Sequence, residues 1–104
     1  LGETAEARRA LEAAVSADPT LADAPYNLGS LFLQQGQLDR ARRAYLAAIA
    51  ADSTFARTYY ALAAVYQAQG AIPQARQTYQ TFIERWRGDP NFLLQARAAL
   101  AQLP

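Results

Sequence analysis

A period of 34 residues runs through this chain and constrains its fold more than any other feature. Gly2, Gly36 and Gly70 stand one period apart, as do Ala7, Ala41 and Ala75, and then Arg8, Arg42 and Arg76. Residues 2–35 set against 36–69 share 14 identities in 34 positions. The same step joins Asp18 to Asp52, Tyr26 to Tyr60, Leu28 to Leu62 and Phe32 to Tyr66. A repeat of this length is one supersecondary unit that cannot bury its apolar face alone and must stack on its neighbours.

Inside each period the spacing is helical. Ala7, Leu11, Ala14 and Val15 fall at i, i+4, i+7 and i+8, one face of a 3.6-residue helix. Tyr45, Ala48 and Ile49 repeat that spacing, as do Leu28, Leu31 and Phe32, and Leu62, Val65 and Tyr66. Gly36 and Gly70 close two such stripes, where glycine takes a positive φ at low cost. Asp18-Pro19 and Asp89-Pro90 read as helix starts, with Asp as the cap and Pro in the first turn. Ser53 and Thr54 are candidate caps of the same kind, and Pro25 and Pro73 sit in first turns. The pattern predicts six helices, at about 3–17, 22–35, 38–51, 55–69, 72–87 and 90–102, with no period-2 segment long enough for a strand. The fold class is all-α.

Composition removes whole classes of chemistry. With Cys 0, His 0 and Met 0 there is no thiol, structural zinc, haem or His-based catalysis to propose. All ten basic residues are Arg, which also removes a catalytic lysine. A net charge of +1 is no footprint for nucleic acid, and no apolar run is long enough for membrane insertion. No phosphate loop, cofactor motif or metal-ligand spacing occurs, so no enzyme is visible. The chain opens Leu1-Gly2-Glu3 without an initiator Met, the pattern of a processed product or part of a longer polypeptide. Nothing in the residues assigns a compartment.

The helix-turn-helix period of 34 resembles the tetratricopeptide repeat (TPR) family. From Ala22, the family's Leu-Gly pair stands as Leu28-Gly29, its next aromatic as Phe32, and its second-helix residues as Ala41, Tyr45 and Ala48. From Ala56 the corresponding residues are Tyr59, Leu62-Ala63, Tyr66, Ala75 and Tyr79, while Ala7, Leu11, Ala14 and Pro19 match a second helix alone. The likeness covers residues 2–86. It implies a right-handed superhelical solenoid of antiparallel helix pairs. The implied single domain, 1–104, comprises a half repeat at 1–21, full repeats at 22–55 and 56–89 with an irregular end to the second, and a capping or stacking helix at 90–104. Ser53 replaces the family's usual Pro, Phe82 stands where Ala14 and Ala48 sit, and Asp89-Pro90 arrives three residues late, so the last helix need not stack in register.

The resemblance also implies a site. First helices of such repeats line a concave groove, which by position shows Asp23, Tyr26, Asn27, Ser30, Leu33 and Gln34, then Arg57, Tyr60, Ala61, Ala64, Gln67 and Ala68. Tyr26 and Tyr60 offer large rigid faces with hydroxyls, or else fill space between repeats. Asn27 resembles the groove asparagine that bonds a ligand backbone, since its amide both donates and accepts. The family's carboxylate clamp, built of Lys and Asn, is missing, with Tyr26, Ser30 and Ala61 at its positions. The implied function is a non-catalytic scaffold for a protein or peptide segment.

Other features weigh less. Arg8-Arg9, Arg42-Arg43 and Arg76 read as a solvated, mixed-charge face beside Glu6, Glu12 and Asp39. Trp86 is expected beneath the last helix, with a cation–π contact to Arg85 or Arg87 as an alternative. Arg87-Gly88-Asp89 spells an adhesion tripeptide that short chance matches also produce. The segment from Phe82 to Pro90 resembles the closing repeats of bacterial multidomain proteins. Together with the Arg-only, Ala-rich composition, it suggests an accessory stretch of a larger bacterial enzyme as an alternative.

The two ends suggest a third reading. Leu11 and Val15 face a side with no preceding helix, and the last helix carries Phe92, Leu100 and Leu103. Leaving ~300 Å² of such surface wet forgoes roughly 7 kcal/mol. The expectation is cover by neighbouring repeats or by another copy docked head to tail, a contact that builds a filament.

Overall fold

In a computed structural model, which describes residues 2–17 and 22–104, the described chain is helical and contains no strand. The helices are α1 (Gly2–Ala17), α2 (Asp23–Gln34), α3 (Leu38–Ala51), α4 (Arg57–Ala68), α5 (Ile72–Arg85) and α6 (Pro90–Gln102). They divide between two compact units, Leu1–Phe55 and Ala56–Pro104. The helix start expected at Asp18-Pro19 lies outside the described residues.

In the first unit, α2 and α3 pair as a helical hairpin and α1 packs on α2. The pairing rests on small residues meeting one large ring. Ala41, Ala44 and Ala48 are buried on α3 beside Tyr45, which is only 1% exposed. The ring of Tyr45 lies so close to Gly29 that a Cβ there would stand 2.7 Å from two of its carbons. In the second unit α5 pairs with α4 and α6 packs on α5. Ala63, Tyr79, Phe82 and Ala96 form its buried cluster, with Trp86, Leu93, Leu100 and Leu103 half-buried against it.

Both hairpin turns are closed by the same backbone device. Gly36 and Gly70 hold φ of 73° and 74°. Around Gly36, the N–H of Gln37 donates to Phe32 at 2.9 Å and that of Gly36 to Leu33 at 3.0 Å. Around Gly70, Ala71 donates to Tyr66 at 2.9 Å and Gly70 to Gln67 at 3.0 Å. These are Schellman pairs, which satisfy the last carbonyls of a helix and need a residue with φ > 0. Pro25 and Pro73 lie in first turns, and Asp89 caps α6 by accepting from the Asn91 N–H at 2.9 Å.

Three local expectations are corrected. Ser53 and Thr54 do not cap α4, which starts two residues later than the pattern suggests, at Arg57, with no side-chain cap on Ala56. Asp52 organises that turn instead: its Oδ1 accepts from the Thr54 N–H at 2.9 Å and from the Thr54 hydroxyl at 2.5 Å. These bonds hold the Asp52 carboxyl below its ordinary pKa. α5 ends at Arg85 because Trp86 turns extended and its Nε1–H donates to the Asp89 carbonyl at 2.9 Å. The late proline does not shift α6 either. Its inward residues Leu93, Ala96 and Leu100 fall one period after Tyr59, Leu62 and Tyr66, three of the buried or half-buried positions of α4.

Gly36→Ala and Gly70→Ala should each destabilise the fold by roughly 1–2 kcal/mol, since an L-residue is strained at this φ. Urea unfolding measures this. Unchanged midpoints in both variants would contradict the turn assignment.

Candidate functional site

On α2 the residues Asp23, Asn27, Ser30 and Gln34 recur at i, i+4, i+7 and i+11, one stripe of the helix. The stripe lies away from Ala24, Gly29 and Phe32, which are buried. Asp23, Asn27 and Gln34 are exposed, whereas Ser30, Leu33 and Tyr26 are half-buried. The Tyr26 ring leans on Tyr45, centroids 5.7 Å apart, and on Phe55 at 5.3 Å. Ser30 ties the arrangement together. Its hydroxyl donates to the Tyr26 carbonyl at 3.2 Å and lies 3.0 Å from the Tyr45 hydroxyl. With Ser30 donating to the carbonyl, the Tyr45 O–H is the donor of the second bond.

On α4 the equivalent stripe is Arg57, Ala61, Ala64 and Ala68, with Arg57 and Ala68 exposed and the two central alanines half-buried. Tyr60 is half-buried against Tyr79 and Phe82, its centroid 5.8 Å and 5.2 Å from theirs. The exposed Gln67 accepts from the Tyr79 hydroxyl at 2.8 Å. Within each unit, then, the groove tyrosine braces a buried second-helix aromatic and shows solvent only part of its ring.

The remaining candidates sort by location. Trp86 is half-buried, stacked on Phe82 at 5.3 Å and edge-on to Phe92 at 5.3 Å. Arg85 lies over Tyr59, 5.2 Å from its centroid, and also donates to its hydroxyl at 3.2 Å. This pair escapes the sequence reading, since residues 26 apart meet only through the α4–α5 hairpin. The Arg87-Gly88-Asp89 tripeptide is tied into its own junction: Arg87 donates to the Glu84 and Trp86 carbonyls, Gly88 lies under the Trp86 ring, and Asp89 caps α6. Of the arginine face, Arg8 pairs with Glu12 at 3.9 Å and Arg42 with Asp39 at 3.5 Å, each a half-buried arginine beside an exposed carboxylate, and such pairs near the surface carry little energetic weight.

At the ends, Leu11 and Val15 are half-buried while Ala7 and Ala14 are exposed. Leu100 and Leu103 are half-buried against the cluster of their own unit. Phe92 and Leu94 are the large apolar residues that α6 leaves exposed, at 44% and 62%.

Residues 29–70 match the family description TPR repeat and residues 59–83 match Tetratricopeptide repeat, so the two together span more than half of the chain. No curated protein matches the sequence significantly. Among solved structures, the chain is similar to SycD, the type III secretion translocator chaperone of Yersinia enterocolitica. The TM-score is 0.87 at 19% identity, over 96% of this chain and 71% of SycD. SycD has also been solved in complex with a peptide of the translocator YopD. The chain is similar to MamA at 30% identity and TM-score 0.82, over 93% of this chain and 54% of that one, so it spans about half of MamA. The first TPR of Spaghetti (RPAP3), bound to an HSP90 peptide, gives a TM-score of 0.80 at 22% identity, over 97% of this chain and 82% of that one. At such identities the likeness to SycD and Spaghetti is one of fold.

Burial raises the phenol pKa of Tyr45, with the Ser30 bond opposing it, and raises that of Tyr79, with the charge of Tyr60 adding to it. The unfolded chain therefore loses these protons first as pH rises. Stability from both groups is complete below the ordinary tyrosine range near pH 10 and declines as pH climbs through the folded values. Tyr45→Phe combined with Tyr79→Phe should flatten this alkaline decline in urea unfolding. A decline of the same steepness in the double variant would contradict the burial of these hydroxyls.

Proposed function

This chain belongs to the tetratricopeptide repeat family, and we propose that it is a non-catalytic scaffold holding a protein or peptide segment against the first-helix faces of its repeats. The observation that carries the reading is the α2 stripe, which shows Asp23, Asn27 and Gln34 to solvent on a helix braced from behind. A carboxamide flanked by hydrogen-bonding neighbours one turn away suits the alternating donors and acceptors of an extended backbone. The brace keeps that stripe preorganised, since Tyr26 and Ser30 are already bonded or packed to Tyr45. α4 offers a different surface, small and apolar at Ala61, Ala64 and Ala68, with Arg57 at its start. Such a face fits aliphatic side chains.

The neighbours that carry peptides, SycD with a YopD segment and Spaghetti with an HSP90 peptide, support a peptide-binding role for the same fold. The acidic C-terminal type of ligand is disfavoured here, because Tyr26, Ser30 and Ala61 stand where the family's Lys and Asn clamp would be. In this reading residues 1–21 are the second helix of a half repeat, 22–55 and 56–89 are full repeats, and 90–104 is a capping or stacking helix.

The tyrosines make poor probes, as truncating Tyr26 or Tyr60 would also loosen the rings behind them. Asn27 is exposed and is the cleaner one. Peptides selected from a random display library on the folded chain should lose roughly ten-fold in affinity on Asn27→Ala, with helicity by circular dichroism unchanged. Affinity unchanged from that of the parent chain in both the Asn27→Ala and the Arg57→Ala variants would sink the proposal.

A further inference from the structure

A buried phenol must place its hydroxyl proton on an acceptor, and the two hairpins meet this demand in different ways. In the α2–α3 pair, Ser30 takes the proton of Tyr45 at 3.0 Å and gives its own to the Tyr26 carbonyl, so both protons stay inside the unit. One period later Ala64 stands in the place of Ser30 and brings no hydroxyl. Gln67, in the place of Leu33, takes over: its Oε1 accepts from the Tyr79 hydroxyl at 2.8 Å. Tyr79 itself is only 3% exposed.

This exchange changes what the surface of α4 shows. A carboxamide carries an accepting oxygen on one side and two N–H donors on the other. The Tyr79 hydroxyl has no second acceptor among the described residues, so it is the donor, and Gln67 turns its oxygen inward. The Nε2 group of Gln67 meets no acceptor among the described residues, and the residue is exposed. Gln67 follows Ala64 by three residues and Tyr60 by seven, which sets it at the rim of the small apolar stripe of Ala61, Ala64 and Ala68. An untethered amide shows either end to a partner. Asn27 is of that kind, exposed and with no bond to its amide among the described residues. Gln67 shows donors alone.

We propose that Gln67, held by Tyr79, sets the hydrogen-bond polarity of the α4 face, which takes a protein segment that brings a carbonyl oxygen to the rim of the apolar stripe. The inference rests on the reading of α4 as a binding face and deepens it by naming the group that the partner must supply. It concerns the second unit alone. Tyr79 is a positioning residue: it touches no partner, and it removes the rotation that would let Gln67 offer its oxygen.

The test uses the intact chain and peptides selected on it from a random display library, with affinities read by fluorescence anisotropy. Ala68→Arg puts a long charged side chain on the same exposed stripe, and peptides that it weakens are those held on α4. For these, Gln67→Glu should weaken binding roughly ten-fold at neutral pH, with helicity by circular dichroism unchanged. The introduced carboxylate still accepts from Tyr79 but has no proton to offer a partner. Lowering the pH through the ordinary carboxyl range, about pH 4, restores an O–H donor, so affinity should return toward that of the parent chain at the same pH. Adding Tyr79→Phe should leave that return incomplete. Alanine substitution along the peptide separates the sources of the oxygen: loss of the pH response at one Asn or Gln marks a side-chain amide, and its retention at every position marks the backbone. Unchanged affinity in Gln67→Glu, or a loss that persists at low pH and so reflects charge alone, would overturn the proposal. Full return in the presence of Tyr79→Phe would overturn the role of Tyr79. If no peptide responds to Ala68→Arg while others weaken on Asn27→Ala, this proposal falls and the α2 reading stands. If no peptide is selected at all, both fall.

Discussion

The close approach of an aromatic ring to a residue with almost no side chain governs each helix pair. Tyr45 lies flat enough on Gly29 that a methyl group would already collide with it. Ala41, Ala44 and Ala48 on the same helix present so little volume that α3 can come down onto α2 around that ring. The second pair uses the same solution with Ala63, Ala75 and Tyr79. Phe82 then replaces the next small residue, and the volume it adds is met by Trp86 stacked on it and Tyr60 edge-on to it. A larger ring at that position is accommodated by recruiting the junction after α5 into the core.

That packing also decides what the opposite surface can do. Each groove tyrosine rests on the buried aromatic of its own pair, Tyr26 on Tyr45 and Tyr60 on Tyr79 and Phe82. The rings are therefore more brace than bait. In the proposed role, the contacts that choose a partner fall to the stripe beside each ring, polar on α2 and small and apolar on α4. A rigid backing makes such small contacts worthwhile, since little side-chain freedom is left to lose on binding.

Much of the fold was legible because it is periodic. One glycine per hairpin, the two first-turn prolines Pro25 and Pro73, and one Asp-Pro before α6 are local signals with a single physical reading, and the pattern they punctuate marks the helix limits to within about two residues. The features that escaped are those that depend on who meets whom. Asp52, rather than Ser53 or Thr54, organises its turn, because its carboxylate can take both the N–H and the hydroxyl of Thr54. Arg85 finds Tyr59 and not Trp86, since Trp86 is drawn inward by Phe82 and Phe92. Leu100 and Leu103 read as apolar surface by composition alone, and their packing against the cluster of Ala63, Tyr79, Phe82 and Ala96 depends on rings from other helices. The stripes of the candidate site were legible as positions, but the half-burial of Tyr26, Ser30 and Tyr60 was not, because it depends on rings contributed by another helix.

The claim beneath all of this is that Gly29 and Tyr45 are one interaction rather than two residues. A double-mutant cycle in equilibrium unfolding measures it directly. Gly29→Leu alone forces a side chain into the Tyr45 ring and should cost on the order of 1–3 kcal/mol. In a Tyr45→Ala background the space is open, so the same change should cost much less or stabilise, with a coupling of about 1 kcal/mol or more. Costs that simply add would mean the ring and the glycine do not constrain each other, and the account of the helix pairing would fail.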